Sequence, residues 1–165
     1  MKIFVNNNIY LRNYKKTDFT SIYKYSKKKE FVKFMEYKPF TKKTCKEWIK
    51  KKLNQKNIDF YSIIFNSNVV GTYLITFEGA KKHMCDLSYG LDPNFQKKGI
   101  FSKITKKIIS KYKLKRFQII TSIRHKNNIK SVKKLKFKSE GILRNYYFDL
   151  KTKKFFDGII FSKCR

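Results

Sequence analysis

Acidic residues are scarce: this 165-residue chain has 11 Asp and Glu against 41 Lys and Arg, a formal net charge of +30. Such a balance suits an anionic partner, whether nucleic acid, an anionic membrane surface or an acidic small molecule. Arginine is scarce as well. Only Arg12, Arg116, Arg124, Arg144 and Arg165 stand among the basic residues, whereas nucleic-acid readers favour Arg for its bidentate fork. The abundant Lys, Asn, Ile, Phe and Tyr all have A/T-rich codons, and the lysines are spread along the chain. A biased genome therefore accounts for the charge better than a dedicated polyanion surface does. The three cysteines, Cys45, Cys85 and Cys164, are odd in number and far apart with no metal or redox spacing, which predicts free thiols in a reducing cytoplasm. No apolar run approaches the roughly 18 residues of a membrane span. The opening "MKIFVNNNIYLRN" lacks a signal-peptide hydrophobic region, so a cytoplasmic protein with no membrane partner is expected. There is no internal repeat and no Gly/Ser/Pro linker, and one domain over residues 1–165 is expected. What is present is enough to fold: 41% hydrophobic and 17% aromatic residues supply a core despite the charge.

Periodicity places the elements. "NNIYLRNY" alternates as a strand. Thr17-Asp18 is predicted to cap a helix carrying Phe19, Ile22, Tyr23 and Tyr25. Thr41 is placed as N-cap of a second helix, with Cys45, Trp48, Ile49 and Leu53 at helical spacing and Trp48 in the core. "DFYSIIFNSNVVGTYLITF" reads as two strands turning at Asn66-Ser67-Asn68. A strand over 83–91 closes at Asp92-Pro93, a helix spans 99–112, a buried strand spans 117–124, and a short helix lies near 128–135. "GILRNYYF" and "KFFDGIIFS" form a terminal hairpin. The order is β-α-α-β-β-β-α-β-α-β-β, an α/β (α+β) chain whose strands 83–91 and 117–124 should run parallel across the central helix.

The chemistry concentrates at "LDPNFQKKGIFSKI". A strand ends, a glycine loop follows, and a helix starts at once. Helix N-termini leave N–H groups unpaired and carry positive partial charge. A pyrophosphate there meets several donors, Gly99 permits close approach, and Lys97 and Lys98 add charge.

"YGLDPNFQKKGIFSKITKKII" resembles the acyl-CoA pyrophosphate loop of the GNAT acetyltransferase superfamily, Gln/Arg-x-x-Gly-x-Gly/Ala. Gln96 and Gly99 match, while Phe101 stands where Gly or Ala is usual. The other landmarks follow in order: "IYLRNYKKTDF", "VVGTYLI", "NNIKS" and "EGILRNYYF…KFFDGIIFSK". The resemblance covers nearly the whole chain. It is closest to the branch that acetylates ribosomal-protein N-termini and to amino-sugar acetyltransferases. It implies a GNAT fold, a mixed and mostly antiparallel sheet with about four helices. It also implies an acetyl-CoA-dependent N-acetyltransferase acting on a primary amine, either a protein N-terminus or a nucleotide-linked amino sugar, without a metal. Ribosome association and a monomer or homodimer are compatible with it. The strand around Tyr89, Gly90 and Leu91 would splay and pair with the pantetheine arm. Backbone N–H groups from Gln96 through Lys97, Lys98, Gly99 and Ile100 to Phe101 would hold the pyrophosphate, and Asn128 and Ser131 would face the lower arm.

Asp86 is the candidate base, since relatives often carry a strand Glu there; a polar residue on a strand edge is the plain alternative. His83 and His125 are further base candidates by residue type but fall near loops, where a solvent-exposed histidine is the plain alternative. Relatives run longer after the helix-opening Ser and place there a Tyr that protonates the leaving thiolate. "SVKKLKF" is short, lacks that Tyr and has Lys136 in place of a Gly. Ser131, Tyr146 or water would then serve as the acid, or the chain has lost activity. The alternative is a non-catalytic basic module on RNA or the ribosome. Glu36 and Tyr37 fall where the superfamily builds its acceptor wall. Arg144 either binds an acidic acceptor group or pairs with Glu140.

Overall fold

The computed structural model describes residues 1–34, 38–150 and 152–165. Eight strands form one sheet in the order β1-β2-β3-β4-β5-β6-β8-β7. In chain order they are β1 (Lys2–Asn6), β2 (Ile9–Asn13), β3 (Ile58–Phe65), β4 (Asn68–Glu78), β5 (Met84–Leu91), β6 (Arg116–Ser122), β7 (Lys138–Asp149) and β8 (Lys154–Cys164). The helices are α1 (Phe19–Ser26), α2 (Lys29–Val32), α3 (Lys42–Leu53), α4 (Ile100–Lys111) and α5 (Lys126–Lys134). Every neighbouring pair is antiparallel except β5 and β6, which run parallel across α4 as the sequence pattern requires.

The helices divide between the two faces. Ile100, Phe101, Ile104 and Ile108 of α4 and Val132 of α5 pack with Leu11, Ile63, Ile75, Leu87 and Phe117 in the larger core. Ile22 and Tyr25 of α1 and Cys45 and Ile49 of α3 close a smaller core over Phe60 and Leu74 on the opposite face. Half-buried Trp48 joins this second core, its ring edge-on to Phe60 at 5.6 Å.

Local chemistry accounts for the boundaries. Asn66 and Ser67 take φ of 46° and 63°, the paired positive values of a two-residue hairpin turn. The Thr41 hydroxyl accepts from Thr44 N–H at 3.2 Å and opens α3. The expected cap at Asp18 is instead an anchor. Its carboxylate is buried and accepts from Arg12 at 2.6 Å on both oxygens, from Ser62 at 2.7 Å and from Lys15 N–H at 2.9 Å. It ties β2, β3 and α1 together. Two elements go beyond the predicted order. The edge strand β1 buries Ile3 but leaves Phe4 exposed, so its apolar run shows no clean alternation. The single turn α2 is too short for a helical period to register.

Candidate functional site

The strands β5 and β6 pair only at Met84, Asp86 and the residue between them, opposite Arg116, Phe117 and Gln118. Beyond Asp86 they separate, while β4 stays paired with β5 up to Leu91. The edge of β5 facing β6 is therefore open from Leu87 to Leu91, about 13–17 Å of extended backbone. The splay expected around Tyr89, Gly90 and Leu91 lies in this run.

The open edge leads to the glycine loop. Lys97 and Gly99 take φ of 62° and 71°, and two left-handed residues in three swing the chain into α4. Glycine suits the second position because that backbone is costly for other residues; a Cβ there would meet nothing within 4 Å. The first intrahelical bond runs from Lys103 N–H to Gly99 C=O at 3.1 Å. The N–H groups of Ile100, Phe101 and Ser102 thus have no partner within the helix and point to its N-terminal end. Gln96 donates to Leu91 C=O at 3.4 Å, tying the loop to the strand end. Lys97 is exposed, and exposed Lys98 sits over the Phe95 ring at 5.0 Å. Phe101, where relatives carry Gly or Ala, is buried with its ring stacked on Tyr89 at 4.0 Å. The larger side chain is absorbed into the core and does not cover the helix end.

Tyr89 also donates to Asn128 Oδ1 at 2.8 Å, and the Asn128 amide donates to Thr121 at 2.9 Å. Asn128 is buried, and its side chain spans from β5 to β6 where no backbone bond does. Asn128, expected to face the lower pantetheine arm, thus has its amide held between the two strands at the splay. Half-buried Ser131 donates back to Asn127 C=O at 3.0 Å. The shortened helix ends at Leu135, with Lys136 at φ 62°. Lys136 N–H bonds Lys133 C=O and Phe137 N–H bonds Val132 C=O, a Schellman ending with lysine in the usual glycine place.

Asp86 stands at the vertex of the splay. Its register partners are Thr76 and Gln118, and Glu78 lies one step along β4 on the same face. Among the described residues, Asp86 Oδ1 is buried without a hydrogen-bond partner. Burial, then the neighbouring Glu78 carboxylate, push the Asp86 carboxyl up to about 6, against opposing pulls from Gln118 and Arg116. The alternating pattern along β5 points Asp86 away from α4, toward the face that carries α1–α3. Neither Glu78 nor Gln118 stood out in the sequence; Gln118 lies far from Asp86 along the chain, Glu78 lies across the β4–β5 turn, and both meet it only through strand register.

The remaining expected residues scatter. Tyr146 is half-exposed and lies with Tyr147 against Gly158 and Ile120. Ile120 follows Gln118 on the Asp86 face, which puts the tyrosines on that face, on β7, three strands from β5. Glu140 pairs with Arg116 and accepts from Ser162, so the Arg144–Glu140 pairing does not form; Arg144 is exposed. Glu36 and Tyr37 lie outside the described residues. His83 is exposed beneath Gly79. His125 stacks on Phe34 at 4.4 Å, and burial pushes its pKa down. That stack joins the segment after α2 to the end of β6, a contact the sequence did not disclose. Beside it, Phe34, Arg124, Tyr147, Asp149 and Phe156 line a crease between that segment and the β7–β8 hairpin. Among the described residues, no cluster of three or more His, Cys, Asp or Glu is placed to hold a metal ion.

Residues 8–138 match the acetyltransferase (GNAT) domain family. The chain belongs to the GNAT acetyltransferases. Its strand splay, glycine loop and mostly antiparallel sheet are the GNAT features expected from the sequence, and membership makes it an acyltransferase. No curated protein sequence matches the chain significantly. Several solved GNAT structures are similar throughout. One is the Salmonella typhimurium acetyltransferase that modifies the N-terminal serine of ribosomal protein L7/L12. It is 14% identical with a TM-score of 0.88, covering 100% of this chain and 99% of that one. The ribosomal L7/L12 acetyltransferase RimL in complex with coenzyme A is 14% identical with a TM-score of 0.88, covering 99% and 98%. The microcin C7 self-immunity acetyltransferase MccE, in complex with acetyl-CoA and AMP, is 21% identical with a TM-score of 0.86, covering 98% and 94%. At these identities the likeness establishes the GNAT fold.

Proposed function

We propose that residues 1–165 act as one acetyl-CoA-dependent N-acetyltransferase that moves an acetyl group to a primary amine, either a protein N-terminus or a nucleotide-linked amino sugar. The observation that carries this reading is the open β5 edge leading to the free N–H groups at the start of α4. Neighbours of the same fold were solved with coenzyme A and with acetyl-CoA. The chain's own groups suit such a ligand: unpaired backbone for the amides of an extended arm, N–H donors and a positive helix end for a pyrophosphate, and Lys97 and Lys98 beside them.

The bound thioester supplies an activated acyl group. The chain has then to position the amine, remove its proton and exclude water. Asp86 Oδ1, buried and unpartnered beside the open edge, is suited to accept that proton. A carboxyl near pH 6 is mostly ionised at neutrality yet basic enough to hold a proton briefly. The amine nitrogen bonds the acyl carbon as the sulfur departs, and a thiolate leaves readily without a strong acid. Ser131, already bonded to Asn127 C=O, is poorly placed to donate; Tyr146 or water completes the proton balance. Glu36, Tyr37 and Arg144 remain candidates for the acceptor wall.

Calorimetric titration with acetyl-CoA at moderate salt tests the cleft, with Gly99→Glu alongside. A carboxylate there repels a pyrophosphate, so saturable binding should disappear in the variant. Binding that the variant leaves intact and salt abolishes would reduce the loop to a turn. A panel of peptide N-termini and nucleotide-linked amino sugars then separates the two acceptor classes.

A further inference from the structure

The segment between Asp92 and Glu140 contains 16 Lys and Arg and not one Asp or Glu. At the chain's average of 11 acids in 165 residues, about three belong in a stretch of this length. A/T-rich codon usage enriches lysine but does not remove Asp and Glu. This segment supplies α4 and α5, the two helices on one face of the sheet.

Where their C-terminal halves meet lies a pocket of about 190 Å³ lined by Lys106, Ile109, Lys134, Leu135, Lys136 and Lys163. It sits about 10–15 Å along α4 from the glycine loop, away from the open β5 edge. Helix C-termini repel anions, but here one carbonyl near each end already accepts from a cationic side chain. Lys163 donates to Leu135 C=O at 3.1 Å and Arg165 to Ile109 C=O. Among the described residues, none of the four salt bridges involves Lys106, Lys134 or Lys136. Lys103, Lys107 and Lys111 extend the charge along α4, and Lys126, Lys130 and Lys133 along α5, at intervals of about one helical turn, roughly 5–6 Å.

We propose that this α4–α5 face, centred on the lysine pocket, docks the phosphate backbone of a nucleic-acid duplex. Lysine acts as a point charge for phosphate rather than a reader of bases. The large exposed apolar side chains Met1, Phe4, Leu53, Ile142, Tyr146 and Phe155 all lie elsewhere. The face therefore offers neither the apolar insertion of a membrane-surface helix nor the aromatic platforms on which single strands stack. It leaves the opposite face, toward which Asp86 points, free while the duplex is held.

The test is fluorescence anisotropy with RNA and DNA duplexes of about 20 base pairs over a salt series. Two charge-matched variants are compared: Lys106→Gln, Lys133→Gln, Lys134→Gln and Lys136→Gln on this face, and Lys42→Gln, Lys43→Gln, Lys50→Gln and Lys51→Gln on α3. Each phosphate contact contributes roughly 0.9 to the slope of log K against log salt. The first variant should lower that slope by about 3, and the second by less than about 1. Equal losses would show attraction to net charge alone and overturn the proposal. So would a first variant that loses phosphatidylserine vesicles but keeps duplexes. Loss on RNA alone assigns an RNA duplex, and loss on both assigns duplex backbone of either kind. Acetyl-CoA titration of the same variants should be unchanged, which keeps this result separate from that of the cleft.

Discussion

Replacing Asp86 by Asn removes the proposed base with almost no change of shape, and its effect can be worked out against pH. The carboxyl sits near 6, against an ordinary 3.8. It is about 90% ionised at pH 7 and about 10% at pH 5. A protein N-terminal amine must also be neutral to attack, with a pKa of about 7.7–8.0. The product of the two fractions makes log kcat/KM climb with slope two below pH 6, slope one up to about pH 8, and then level off. Asp86→Asn should lower kcat by about 10²–10⁴ and leave a single slope of one below pH 8. Glu78→Gln should keep the activity but move the lower break below 6, because Glu78, first as a hydrogen-bonding neighbour and then as a charge, is the next cause raising the carboxyl after burial. The sign for stability runs opposite to activity. A carboxyl raised on folding is held protonated by the native state, so stability falls as pH rises from about 4 through 6. Asp86→Asn should therefore raise the urea midpoint at pH 8, and the gain should vanish near pH 4. A variant with wild-type turnover, or a break at pH 6 that survives in Asp86→Asn, would refute the assignment.

Other outcomes follow from single contacts. Arg12→Ala strands the buried Asp18 carboxylate and should cost about 3–5 kcal/mol in denaturant titration. Burial works to raise the Asp18 pKa, but the bonds from Arg12, Ser62 and Lys15 hold it below 3.8; the wild-type protein should therefore lose this support only as pH falls below about 4. Lys136→Gly relieves a left-handed lysine and should stabilise by about 1 kcal/mol, read from the shift in urea midpoint. Asn128→Ala removes two hydrogen bonds, each worth about 1 kcal/mol. It should speed amide hydrogen exchange in β5 beyond Asp86 more than before it.

The element order was largely legible because hydrophobic period is a local property. The turn at Asn66-Ser67, the Thr41 cap and the parallel pair around α4 all follow from residues near one another in the chain. The glycine loop was legible for the same reason: strand end, αL glycine and helix start are consecutive. β1 and α2 escaped because an exposed Phe4 masks the alternation of one and the other spans a single turn. Asp18 escaped as an anchor because its partner Ser62 lies on another strand.

Composition and local pattern determine that this chain forms a mixed sheet with a glycine loop feeding a helix and that it carries a large positive charge; the resemblance of its motifs to the GNAT superfamily adds the expectation of that chemistry. Tertiary structure alone decides that β5 and β6 part after Asp86, that Phe101 turns inward onto Tyr89, and that Glu78 and Asp86 share a face. Each of these depends on strand register and on packing between strands and helices, which no local period records. The pKa of Asp86 depends on them too, because burial and a neighbouring charge exist only once the sheet has formed.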